Sequence, residues 1–95
     1  MALIAEYEEY LQEFRAEVVD GLSVELAGRG ATLRELTFSE DEDGVWAESV
    51  LDLPDRREAW VRRRLVVPSL GPDKDAWLAG VVYASAVGEE LDLNR

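Results

Sequence analysis

The spacing of apolar residues changes along the chain, and this change constrains the fold more than any other feature. From Ala2 to about Ala27, apolar residues recur at steps of three and four, as on one face of an α-helix. The segments VWAESVLDL and WVRRRLVV instead alternate with a period of two, as half-buried strands do. A helix followed by strands that bury one face predicts an α+β domain.

The end of the first helix has two interpretations. Gly21 weakens a helix, and the alternation in GLSVEL allows an end near Asp20 followed by extended chain. We favour a helix that continues to Ala27, with Gly28 or Gly30 taking the left-handed conformation that stops it. The predicted apolar stripe consists of Ile4, Tyr7, Leu11, Phe14, Val18 and Leu22.

A second helix is predicted near the C-terminus, beginning at Pro72 or Asp73. The predicted order is therefore helix, three antiparallel strands, helix (αβββα), in one domain of residues 1–95. On the last helix Gly80, Ala84 and Gly88 recur every four residues, which lets another backbone approach closely. The sequence leaves open whether this line packs on the first helix or forms a homo-oligomer through the C-terminal helix.

The two alternating segments predict a strand pairing. Placing Leu51 opposite Val61 sets Glu48 opposite Arg64, so that apolar residues meet apolar residues and opposite charges meet. This register puts Trp46 on the face away from the core, together with Trp60. Because both faces carry apolar residues, the pattern alone does not decide which face is the core.

The acidic stretch SEDEDG predicts a hairpin tip in which Gly44 supplies the turn. In an EF-hand loop with Gly44 at the sixth position, the first ligand would be Ser39 and the twelfth Val50. The bidentate acid is therefore missing, and we expect no metal site and no cofactor.

Composition excludes several functions. The chain has no cysteine and no histidine, so it lacks thiolate nucleophiles, the usual base near neutral pH and the commonest metal ligand. We therefore predict a protein that is not an enzyme. With 21 acidic and 10 basic residues the net charge is −11, which repels nucleic acid and anionic membrane and favours basic proteins. The acidic start MALIAEYEEY differs from a signal peptide, so we expect a cytoplasmic protein.

The leading functional hypothesis is a small protein-binding adaptor or inhibitor, of the kind found among immunity, antitoxin and anti-defence proteins, that covers a basic surface of its partner. Acidic side chains would steer association and aromatic side chains would hold the partner. One alternative is a structural protein that forms a homo-oligomer or part of a larger particle, and another is a metal-dependent hydrolase that uses carboxylates of the first helix. The predicted partner-binding residues are Tyr10, Trp46, Trp60, Tyr83, Glu40, Asp41, Glu42 and Asp43.

Overall fold

The computed structural model describes residues 3–55, 57–72 and 74–93, with the side chain of Leu93 left out of the description. The elements are α1 (Leu3–Glu6), α2 (Glu8–Ala27), β1 (Thr32–Asp41), β2 (Gly44–Asp52), β3 (Glu58–Val67), β4 (Gly71–Pro72) and α3 (Ala76–Leu93). The strands form one antiparallel sheet in the order β1-β2-β3-β4. The α+β prediction is confirmed, and the sheet has four strands instead of three because a two-residue strand leaves no period-two pattern in the sequence.

The first helix continues to Ala27, as we favoured, with a turn at Tyr7 separating α1 from α2. Gly21 is tolerated because it faces α3, where a side chain would meet the Cβ of Ala84 at 2.9 Å. Gly30 has the left-handed φ of 68° that ends the helical segment. The buried residues of α2 are Leu11, Phe14, Val18, Leu22 and Leu26.

The last helix begins at Ala76, later than predicted. Pro72 belongs to β4, where it pairs with Val66, and Asp73 lies outside the described residues. The carbonyl of Asp75 accepts a 2.8 Å hydrogen bond from the amide of Ala79, which closes the first helical turn. The chain between β3 and α3 therefore forms the short edge strand β4 before the helix starts.

Both helices pack on the same face of the sheet. β2 directs Val45, Ala47 and Leu51 into the core, so the structure decides which face is the core, a choice that the alternation left open. Phe14 lies at the centre of the core, with its ring 6.0 Å from Phe38 of β1 and 5.4 Å from Tyr83 of α3. The opposite face of the sheet carries no helix among the described residues.

From Trp46 to Asp52 the register of β2 with β3 differs from the predicted one by two residues, and a β-bulge separates this part from the pair of Val45 with Val66. Leu51 pairs with Ala59, and Glu48 pairs with Arg62 instead of Arg64. The hairpin closes more tightly than we predicted because the amide of Leu53 donates a 2.9 Å hydrogen bond to the carbonyl of Arg57. From Trp46 to Asp52 the even shift keeps the side chains on their predicted faces, whereas the bulge brings the buried Val66 opposite Val45 in the core.

The helices α2 and α3 run parallel and approach closely along small residues. The contact uses the four-residue repeat of glycine and alanine on α3, so this line packs on the chain's own first helix. The small side chains are therefore explained without a subunit contact. The facing positions are Glu17 with Gly80, Gly21 with Ala84, and Glu25 with Gly88.

Candidate protein-binding surfaces

Tyr83 does not lie on the surface, and its prediction as a partner-binding residue is wrong. Its side chain is 1% exposed, beneath β2 and β3. Its hydroxyl bonds with Ser49 Oγ and donates to the carbonyl of Val61 at 3.2 Å. Burial, partly offset by the bond with Ser49, raises the pKa of Tyr83 above its ordinary value. The apolar positions of α3 surround most of the helix, so the pattern could not show which of them faces inward.

Tyr10 is partly buried and packs against the hydrophobic core. It also lines a surface groove of about 820 Å³ between the N-terminal half of α2 and the start of α3. The groove is lined by three carboxylates and one ammonium group, together with the indole of Trp77; the charged residues are Glu9, Glu13, Asp75 and Lys74. Tyr10 therefore contributes to the wall of an acidic groove instead of projecting from the helix.

Trp46 lies on the helix-free face of the sheet, as predicted, but its polar atom and its ring both have partners within the chain. The indole N–H donates a 3.0 Å hydrogen bond to Asp41, and the guanidinium of Arg62 lies 4.0 Å from the ring centroid. Arg64 lies farther, at 5.8 Å from the same ring. The side chain is half-buried, so much of the surface of Trp46 is already in contact with the sheet and is not available to a partner.

Trp60 is the most exposed aromatic side chain on this face, at 61%. It pairs across the strands with Val50, which is only 5% exposed although it points away from the helices. Val50 and Trp60 thus form an apolar pair that no helix of the described residues covers, and Glu48 separates this pair from Trp46 along β2. The assignment of Trp46 and Trp60 to a partner surface stays a prediction.

A charged cluster, which was not predicted from the sequence, lies at the end of the helix-free face of the sheet. Arg34 occupies a β-bulge of β1, and its guanidinium makes ion pairs with Asp52 and Glu58. The hydrogen bond with Asp52, and then the one with Glu58, raise the pKa of Arg34. Asp52 and Glu58 are cross-strand partners, so the arginine separates two carboxylates that would otherwise repel. A bulge position leaves no periodic signal in the sequence.

The acidic hairpin tip has the turn that the sequence predicts, but its carboxylates play different parts. Asp41 accepts from Trp46 and from the amide of Asp43, and the bond from Trp46 contributes most to the lowered pKa of Asp41. Glu40 accepts a 2.6 Å hydrogen bond from the amide of Leu3. Glu42 and Asp43 project into solvent. Only part of the predicted acidic cluster is therefore directed outward.

The carboxylates of the first helix do not converge. Within the described residues, no three acidic side chains lie close enough together to share a metal ion. Glu6 lies on α1, and Glu9, Glu17 and Asp20 follow along α2, so the four carboxylates are spread along the length of the two helices. Within the described part of the chain, these carboxylates therefore form no group of metal ligands, and the hydrolase alternative stays a prediction.

Surface charge is unevenly divided between the two layers. Residues 3–27 contain seven acidic side chains and one arginine, and α3 contains three acidic side chains and no basic one, so the helical layer carries −9 of the net −11. The three long strands contain six acidic and four basic residues, a net of −2. Negative charge is therefore concentrated on the face opposite Trp60.

The outer side of the helical layer also carries apolar side chains. Trp77 is 54% exposed, Leu78 39% and Val81 41%, although all three lie in a well-formed helix. The excess of apolar residues on α3 was visible in the sequence, but which of them remain exposed depends on the contact with α2. We term the following residues the helical surface: Glu9, Glu13 and Glu17 of α2 with Trp77, Leu78 and Val81 of α3.

A second cavity, of about 240 Å³, lies at the opposite end of the helices. Its polar walls include Arg29 and Arg57, and both guanidinium groups already pair with carboxylates of the chain. Its apolar walls include Leu53 and Leu91. Because the arginine charges are balanced locally, this cavity offers less to a charged ligand than the acidic groove does.

No helix among the described residues has the length and apolar character needed to cross a membrane. Comparison of the chain with protein-family models, with curated proteins and with solved structures finds no match.

Proposed function

We propose that the chain is a small acidic protein-binding module, an adaptor or inhibitor, that acts on a basic surface of a partner protein. The observation that carries this proposal is the concentration of nine of the eleven net negative charges on the helical layer. A one-sided negative field attracts a basic surface and raises the rate of association. Exposed aromatic residues then supply apolar contact area once the two surfaces meet.

Capture from a lysate of the source cells tests this function. The immobilised chain is compared with a variant in which Glu9, Glu13 and Glu17 are replaced by glutamine, and retained proteins are identified by mass spectrometry. The purified partner should carry a basic surface, and its association rate should fall about tenfold or more between low and physiological salt.

Two results would contradict the proposal. One is a partner whose association rate does not change with salt, and the other is retention of the same proteins by the glutamine variant in equal amounts. If the chain alone forms a defined oligomer by light scattering and captures no other protein, the assembly role replaces the adaptor role.

A further inference from the structure

The apolar residues of the helical surface form a continuous strip along α3. Trp77 and Val81 are one turn apart and therefore lie on the same side of the helix, with Leu78 beside them. At the start of the strip Trp77 borders the groove of about 820 Å³ that α2 shares. Solitary exposed apolar residues are ordinary, but three adjacent ones next to a groove are typical of a contact surface.

A row of carboxylates runs beside this strip. Glu9, Glu13 and Glu17 follow one another at four-residue intervals on α2, about 6 Å apart along the helix axis. The parallel packing holds the row against α3, since a Cβ at Gly80 would lie 2.5 Å from the Cβ of Glu17. Glu13 and Glu17 thus lie beside the apolar strip over about one turn, and Glu9 extends the acidic row toward the start of α2.

We infer that the helical surface binds a basic amphipathic helix of the partner protein. This inference rests on the proposed function and names the surface and the chemistry of the partner. Apolar residues of the incoming helix would contact Trp77, Leu78 and Val81, and lysine or arginine one turn apart would meet the row of glutamates. The groove would receive a basic side chain between Glu13 and the ring of Trp77.

A helix fits this surface better than an extended segment does. Both α2 and α3 satisfy their backbone groups internally, so the surface offers no unpaired strand edge to a peptide backbone. The backbone N–H and C=O groups of an extended segment would therefore stay bonded to water. In a helix these groups already bond to one another. The incoming helix would lie as a third element beside α2 and α3.

Charge argues against a second copy of the chain as the occupant. A twofold contact through this surface would bring the row Glu9, Glu13 and Glu17 close to the same row of the partner copy. Like charges across an interface are unfavourable, and each helical layer carries −9. A basic helix has the opposite sign and relieves the repulsion within the row.

The test uses a fluorescently labelled amphipathic peptide of about 20 residues, a length at which helices become marginally stable in water. One face carries leucine and the other lysine and arginine. A scrambled peptide of the same composition has the same charge without the apolar face. Binding to the full chain is measured by fluorescence anisotropy, and we expect the amphipathic peptide to bind about tenfold more tightly than the scrambled one.

Trp77→Ala and Trp60→Ala form a matched pair, because both remove an exposed tryptophan, one from each face of the molecule. We expect Trp77→Ala to weaken peptide binding about tenfold and Trp60→Ala to change it by less than about twofold. Circular dichroism and thermal unfolding confirm that both variants fold.

A second matched pair separates the two groups of carboxylates. The helix triple replaces Glu9, Glu13 and Glu17 with glutamine and removes three negative charges. The tip triple combines Glu40→Gln, Glu42→Gln and Asp43→Asn and removes the same number. The helix triple should flatten the salt dependence of peptide binding more than the tip triple does.

Three results would overturn the inference: equal binding of the two peptides, a larger loss for Trp60→Ala than for Trp77→Ala, and a dimer in sedimentation that Trp77→Ala dissociates. The first two leave the proposed function standing if the captured partner still associates in a salt-dependent way. If the partner's association is also insensitive to salt, the proposed function fails as well.

Discussion

At the scale of single residues, Gly44 is the position where the fold tolerates least change. Its φ of 130° lies outside the range that L side chains adopt readily, and a Cβ there would overlap the carbonyl oxygen of Val66. We expect Gly44→Ala to lower the free energy of unfolding by about 2 kcal/mol or more, since strain and overlap add. Urea unfolding measures the change, and an effect below about 0.5 kcal/mol would contradict the close approach of the turn to β3.

Tyr83 makes the stability of the chain sensitive to alkaline pH. Because burial raises its pKa above the ordinary value of 10.0, the folded state keeps the phenolic proton to a higher pH than the unfolded state does. The contribution of the protonated Tyr83 to the free energy of unfolding is complete below pH 10 and is lost as the pH rises through the pKa of the folded state. Tyr83→Phe should therefore lose less stability than the wild type as the pH rises above 10.

The phenylalanine variant should start from a lower stability at neutral pH, by about 1 kcal/mol, because the bonds to Ser49 and Val61 disappear. Urea unfolding at several pH values checks both effects. Parallel curves for the two proteins above pH 10 would show that the tyrosine does not ionise with a raised pKa.

A double-mutant cycle tests the strand register. Glu48 lies opposite Arg62, with 3.9 Å between Glu48 Oε2 and Arg62 Nε. Exchanging the charges in Glu48→Arg with Arg62→Glu should give a coupling energy of about 0.5 kcal/mol, the usual size for exposed pairs. The same exchange between Glu48 and Arg64 is the control and should give a coupling near zero. A larger coupling for Arg64 would support the register predicted from the sequence.

At the scale of elements, the contact between α2 and α3 depends on Gly80. An added Cβ would lie 2.5 Å from the Cβ of Glu17 and 3.2 Å from the carbonyl oxygen of Phe14. We expect Gly80→Ala to destabilise by about 1–3 kcal/mol, more than the gain of about 1 kcal/mol in helix propensity. Gly28→Ala is the matched control, since no atom lies within 4 Å of its added Cβ. Equal melting temperatures for the two variants would contradict the close helix contact.

The elements themselves were largely predictable, and their relative positions were less so. The stripe through Phe14 and Val18 predicted the first helix, and alternation predicted which residues of β2 share a face but not which face is the core. The register of β2 and β3 was missed because the tight turn from Leu53 and the bulge between Val45 and Trp46 follow local backbone geometry, which hydrophobic periodicity does not encode. Tyr83 was misplaced because α3 is apolar around most of its circumference.

The candidate surface was predictable only in kind. The net charge of −11 pointed to a basic partner, but the division of charge between the layers requires knowing that both helices cover the same face of the sheet. Trp77 was not distinguished from its neighbours in sequence, although it is 54% exposed. Trp77 is exposed because Gly80 and Ala84 are the residues of α3 that contact α2.

At the scale of the whole molecule, self-repulsion should make folding dependent on salt. Ten of the acidic side chains lie in the helical layer, and none of them is buried, so their repulsion acts through solvent and is screened by ions. We expect the melting temperature to rise by several degrees as salt increases from about 10 to 150 mM. The variant with glutamine at Glu9, Glu13 and Glu17 should melt higher at low salt and respond less. A melting temperature that falls with salt would show that attractive ion pairs dominate instead.

Placing −9 on one layer and −2 on the strands of the other gives the molecule a permanent electric dipole directed across the sheet. A positively charged partner therefore exerts a torque as well as a pull, and the chain rotates toward it before any atoms touch. In the proposed encounter the helices would therefore approach the partner first, and Trp60 would face away from it. Orientation before contact shortens the search for the bound pose. A chain without histidine or cysteine can therefore still have a high association rate.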